Sequence, residues 1–152
     1  MAEAWLSSAD LSHLAQLGVM ASGAGLTAEA QTIFDSLVHL RPQRAYPWIG
    51  LAGCQLDQAR PDAAAALLAQ GRQVLAQVTP SGPEATAELA AEQAELACWH
   101  GLALHWAGHN AQSQQALHDS LAGPPDTRTH TVARRMLGLL PLASASDPGE
   151  RS

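Results

Sequence analysis

"LSHLAQLGVMASGAGLTAEAQTIFDSLVHLRPQR", residues 11–44, holds two apolar stripes of helical period with a glycine-rich break between them. Leu11, Leu14, Leu17 or Gly18, and Ala21 share one face of a first helix, which Gly23 and Gly25 end. Thr27 suits the N-cap of a second helix, and Glu29 is favourable in its first turn. Ala30, Ile33, Phe34, Leu37 and Leu40 give that helix its apolar face, and Pro42 stops it. Two short helices joined by a tight turn make a hairpin.

Outward from this stretch the pattern repeats. "YPWIGLAGCQLDQ" carries Pro47 in a first turn, where the missing N–H has no partner anyway. A turn at Ala59-Arg60-Pro61 leads into "DAAAALLAQGRQVLAQV", which Thr79-Pro80 ends. A long helix follows up to Gly108; Ser81 and Glu84 have capping-box spacing, and Pro83 fits its first turn. Asn110 is the expected cap of "NAQSQQALHDSLA", and Gly123-Pro124-Pro125-Asp126 breaks the chain again. A last helix over 128–140 precedes a tail, 141–152, that reads as flexible. No strand alternation appears, so the expectation is an all-α domain over 1–140 with about seven helices.

Composition agrees. Hydrophobic residues make up 47% of the 152 and charged ones 14%, which is globular rather than disordered. Aromatics are only 4% and alanine is abundant, a balance suited to closely packed helices. The net charge is −6 and every basic residue is arginine. A nucleic-acid binder needs a basic face, so nucleic acid is not an expected partner. Cys54 and Cys98 form no C-x-x-C and read as small buried thiols of a reducing compartment. No signal peptide or apolar run of membrane-spanning length is visible, which points to a soluble, cytoplasmic protein.

The two hairpins share a 34-residue period. With Leu11 as position 1, Leu14, Leu17, Gly18, Gly25, Ala30, Phe34 and Pro42 fall on positions 4, 7, 8, 15, 20, 24 and 32. The next unit starts at Ala45, and Trp48, Leu51, Ala52, Ala64, Leu68 and Gly71 take positions 4, 7, 8, 20, 24 and 27. Small residues at 8 and 20 let the paired helices approach, while large ones at 4, 7 and 24 fill the gap. A third unit from Ala94 matches at Gly101, Gly108, Leu117 and Pro125 but departs at Ala97, His100 and Ser113. About fifteen extra residues, Thr79 to Gln93, precede it and should lengthen its first helix. This pattern resembles the tetratricopeptide (TPR) family over residues 11–127, with units at 11–44, 45–78 and 94–127.

The resemblance implies a right-handed stack of antiparallel helix hairpins closed by a C-terminal capping helix. The short helix "HTVARRMLG" and the "LVHLRP" junction running into "YPWIGLA" are also similar to the small TPR-type chaperones of bacterial type III secretion systems. Those wrap an amphipathic helix of a needle or export-apparatus subunit and prevent early polymerisation. The implied partner is therefore a small secreted or assembling subunit with such a helix. A second small co-chaperone and self-association without the partner are further expectations. In the family the first helix of each hairpin lines a concave face through positions 2, 5, 9, 12 and 13. Carried across, the partner-binding residues are Ala15, Val19, Tyr46, Ile49, Leu56, Cys98, Leu102, His105 and Trp106, with Ser12, Ser22, Gly53, Asp57 and Glu95 beside them. This lining is apolar and lacks lysine and asparagine, so it suits an apolar helix face better than a C-terminal carboxylate.

Sites for chemistry are hard to find. His105 and His109 are four apart, but Gly108 separates them, and no H-E-x-x-H, phosphate-binding or nucleophile-elbow motif occurs. Glu84, Glu88, Glu92 and Glu95 form a stripe along one helix, which reads as a solvated face or a docking strip for a basic partner. The expectation is a non-enzymatic scaffold with no cofactor and no metal. Two alternatives are a TPR adaptor of an unrelated complex and a small helical enzyme using the histidines.

Overall fold

The structure, a computed structural model, describes residues 6–139. They form α1 (Ser8–Gly23), α2 (Thr27–Leu40), α3 (Ala45–Asp57), α4 (Pro61–Ala76), α5 (Pro83–Trp106), α6 (Asn110–Ser120) and α7 (Arg128–Met136), with no strand among the described residues. Helices pair as α1 with α2, α3 with α4 and α5 with α6. The second helix of each pair packs on the first helix of the next, and α1, α3, α5 and α7 also touch in series. The result is a stack of hairpins in two layers. The final helix is shorter than expected, and the proposed tail at 141–152 lies outside the described residues.

Close approach sets the pairing within each hairpin. A Cβ on Gly18 would lie 2.9 Å from Phe34, and one on Gly101 would lie 2.6 Å from Leu117 Cγ. In the middle pair Ala52 and Leu68 fill the corresponding places, both buried. Gly71 leaves room for Trp48, whose Cγ would be 2.7 Å from an added Cβ. The Trp48 indole Nε1 donates to the Pro42 carbonyl at 2.9 Å, so the ring packs into the core while its polar edge is satisfied.

Several helix starts differ from the sequence reading. Thr27, Asn110 and Ser81 do not cap. Leu26, His109 and Gly82 occupy the N-cap positions, without side-chain hydrogen bonds. Gly82 adopts φ 94°, a backbone state open to glycine, and Pro83 follows it into the helix. The capping box lies elsewhere: Ser7 Oγ accepts from Asp10 N–H at 3.2 Å, and the Asp10 carboxylate accepts from Ser7 N–H at 2.8 Å.

The third hairpin departs from the repeat pattern without losing its packing. Ser113, where an alanine is expected, donates its hydroxyl to the Gly101 carbonyl at 2.7 Å and is buried. His100 stands where the other units place leucine. Its Nδ1 lies 3.1 Å from Arg72, whose guanidinium donates to Asp119 at 2.8 Å, so one polar node ties α4, α5 and α6 together. The extra residues before this hairpin extend α5 to 24 residues, about 36 Å. Two members of the glutamate stripe expected to be a solvated face or docking strip are instead paired: Arg44 donates to Glu92 at 2.8 Å and to Glu88 at 3.1 Å. It holds the added turns of α5 against the start of α3.

Candidate partner-binding face

The layer built from α1, α3 and α5 carries most of the residues expected to meet a partner. On α1, Ala15 and Val19 line a shallow apolar hollow with Gln16 and Met20. Val19 is 63% exposed, a large share for an apolar side chain with a core nearby. On α3, Tyr46 and Ile49 are half-buried, leaning on the two larger core clusters. Ser22 Oγ donates to Asp57 Oδ2 at 2.8 Å and ties the end of α1 to the end of α3.

Gly53 lies between these residues on α3. A Cβ there would meet nothing within 4 Å, unlike the glycines that seat Phe34, Trp48 and Leu117. Its bareness leaves backbone accessible on the same helix as Ile49 and Leu56. Leu56 and Trp106 line one hollow with Ala59 and Pro61. Trp106 is 55% exposed, and His105 beside it is exposed as well.

Cys98 and Leu102 are placed differently from the other expected residues. Cys98 is buried, with Leu117 and Ala133, beneath α7. Its Sγ donates a weak hydrogen bond to the Thr129 carbonyl at 3.8 Å. Burial and the nearby Glu95 charge push this thiol up to about 11. The capping helix covers Cys98, so its side chain is not on the surface with Val19 and Trp106. Leu102 is half-buried against the same cluster. The sequence gives no measure of how far a nine-residue helix reaches over its neighbour.

The face has a marked edge. α1, α3 and α5 each end in a turn closed by the same hydrogen bond, from Leu26 to Ala21, Arg60 to Gln55 and His109 to Leu104. Gly25 and Gly108 supply the left-handed residue in two of these turns, and Ala59 supplies it in the third with φ 56°. Ala59 and Pro61 are wall residues that the sequence reading missed. The signal was present, since Ala59 falls on repeat position 15, where the other two units carry glycine.

The histidines do not converge. His100 sits in the polar node on α5, and burial and then the Arg72 charge bring it down to about 4. His109 Nε2 is 2.9 Å from Asp62, and His39 is bonded to the Asp35 carbonyl. Among the described residues no group of three His, Cys, Asp or Glu side chains could hold a metal ion.

A family model described as tetratricopeptide repeat matches residues 21–96, half of the chain. The chain belongs to the tetratricopeptide-repeat family. The matched span runs from the end of α1 into α5, so the first two TPR hairpins carry most of it. The TPR stack is also similar to the solved structure of the Yersinia enterocolitica type III secretion translocator chaperone SycD. The TM-score is 0.62 with 20% sequence identity, over 88% of this chain and 92% of that one. No curated protein matches the sequence. No helix among the described residues is long and apolar enough to cross a membrane.

Proposed function

We propose that this TPR protein is a chaperone that shelters an amphipathic helix of a small assembling subunit on the face of α1, α3 and α5. The observation that carries the reading is an apolar set on three successive first helices, with Val19 and Trp106 exposed and Ile49 and Leu56 half-buried between them, around a bare Gly53. Such a surface buries apolar area on binding and offers anchors for residues spaced at helical intervals. The similarity to a translocator chaperone supports a type III secretion subunit as the guest.

Co-expression with the neighbouring genes, tagged capture and mass measurement in solution provide the test. The expected product is a complex of this chain with a small helical protein, melting well above the free chain because the guest binds only the folded state. Recovery of a folded monomer alone under these conditions defeats the proposal. Tyr46→Ala is expected to lower capture more than it lowers the melting temperature, since Tyr46 is only half-buried.

A further inference from the structure

The end of this face has a chemistry of its own. Leu56 from the last turn of α3, Ala59 and Pro61 from the turn after it, and Trp106 from the end of α5 enclose a shallow apolar notch of about 400 Å³. Ala59 is the one non-glycine residue with positive φ among the described residues. A left-handed alanine is disfavoured relative to glycine, because its Cβ crowds the following carbonyl. The methyl group retained there forms part of the notch wall.

Charge surrounds the notch. Asp57 and Asp62 flank its lining residues and are both exposed, and Arg60 is the one basic side chain between them. Asp62 lies beside His109, and Asp57 accepts from Ser22. The C-termini of α3 and α5 meet the N-termini of α4 and α6 at this edge, so the helix-dipole ends offset one another and the two carboxylates set the local charge. The exposed face of the Trp106 indole is itself attractive to a cation.

We infer that the notch takes a bulky apolar side chain of a partner segment that carries lysine or arginine within a turn of that anchor. The inference rests on the partner-binding reading above and adds the character of the guest at one end of the face. The apolar walls bury the anchor, and the Asp57 and Asp62 carboxylates attract its basic neighbours.

Two designed helical peptides of about 16 residues test it, with one leucine face in common and either lysines or glutamates flanking the central leucine. The full chain is titrated with each at low and high salt, following tryptophan emission. The lysine peptide is expected to bind at least about tenfold tighter, with a blue shift that Trp106→Phe abolishes. Trp106→Ala should weaken it about tenfold while leaving the thermal melt unchanged, as an exposed side chain allows. Asp57→Asn with Asp62→Asn should remove most of the preference, as should high salt. Equal binding of the two peptides overturns the inference and leaves the partner-binding reading standing, as does binding indifferent to Trp106→Ala. If neither peptide binds, the inference falls; an empty co-expression experiment would then remove the wider reading as well.

Discussion

Leu117 rests on Gly101, so close that a Cβ on the glycine would lie 2.6 Å from Leu117 Cγ. Gly18 and Phe34 stand in the same relation two hairpins earlier. The contact is backbone-close in both, and neither helix can retreat without unpacking its partner on the next hairpin.

Gly101→Ala should therefore destabilise the protein by about 1–3 kcal/mol, through overpacking against a buried leucine. Gly53→Ala is the control. With open space around the new methyl, it should stabilise by about 0.5–1 kcal/mol, the ordinary helix-propensity gain. Urea unfolding of the two variants measures both, and the opposite signs are the result to check.

Ala59→Gly should stabilise by about 1 kcal/mol, because glycine adopts the left-handed state without the Cβ clash. The same substitution removes a methyl from the notch, so it should raise the melting temperature while weakening peptide binding there. A variant gaining in both measurements would contradict the role given to that methyl.

Acid should weaken the fold through His100. Its folded-state value of about 4 lies below the ordinary 6.5, so between those limits the unfolded chain binds more protons. Stability is complete above about 6.5 and is lost as pH falls towards 4. Because the ring is not fully enclosed, the loss is on the order of 1 kcal/mol after allowing for solvent screening. His100→Gln should flatten this part of the pH profile, measured by chemical denaturation at a series of pH values.

Arg44 and Glu92 should show a coupling of about 0.5–1 kcal/mol in a double-mutant cycle, since Glu92 is largely covered. The Arg44–Glu88 arm is more exposed and should lose its smaller coupling in high salt.

Thiol labelling should separate the two cysteines. Cys98 lies under α7, a helix of nine residues that is too short to be stable by itself. Cys54 is enclosed by the α1–α3 core. Cys98 should therefore react first, at a rate set by α7 lifting, and Cys54 only on wider unfolding. Equal rates in native buffer would show that α7 does not open alone.

The hairpins were legible because their determinants are local. Gly18, Ala30 and Phe34, or Trp48 and Gly71, record a contact in residue size at a fixed spacing, and the structure brings those pairs together. The helix starts were less legible. Ser81 and Glu84 satisfy a spacing rule, but Gly82 and Pro83 set the backbone first. Contacts distant in sequence left no such trace. Arg44 finds Glu92 across 48 residues, and Cys98 bonds the Thr129 carbonyl of α7 across 31. Repeat position assigns a helix side to each candidate residue, and of these Val19 and Trp106 are exposed while Cys98 is buried. Exposure depends on what lies over each residue.

α5 touches α3, α4, α6 and α7, and its added turns are tied back to Arg44. A repeat array usually opens from its ends, one unit at a time. Here the third hairpin cannot detach without uncovering Leu68 and Leu75 on the second, whose cluster includes Leu96 and Leu104 of α5. The middle and last hairpins should therefore exchange their amide hydrogens together as one cooperative block, with α1 and α2 opening more freely. The molecule behaves less like a chain of beads than like a blade set on a single long rib.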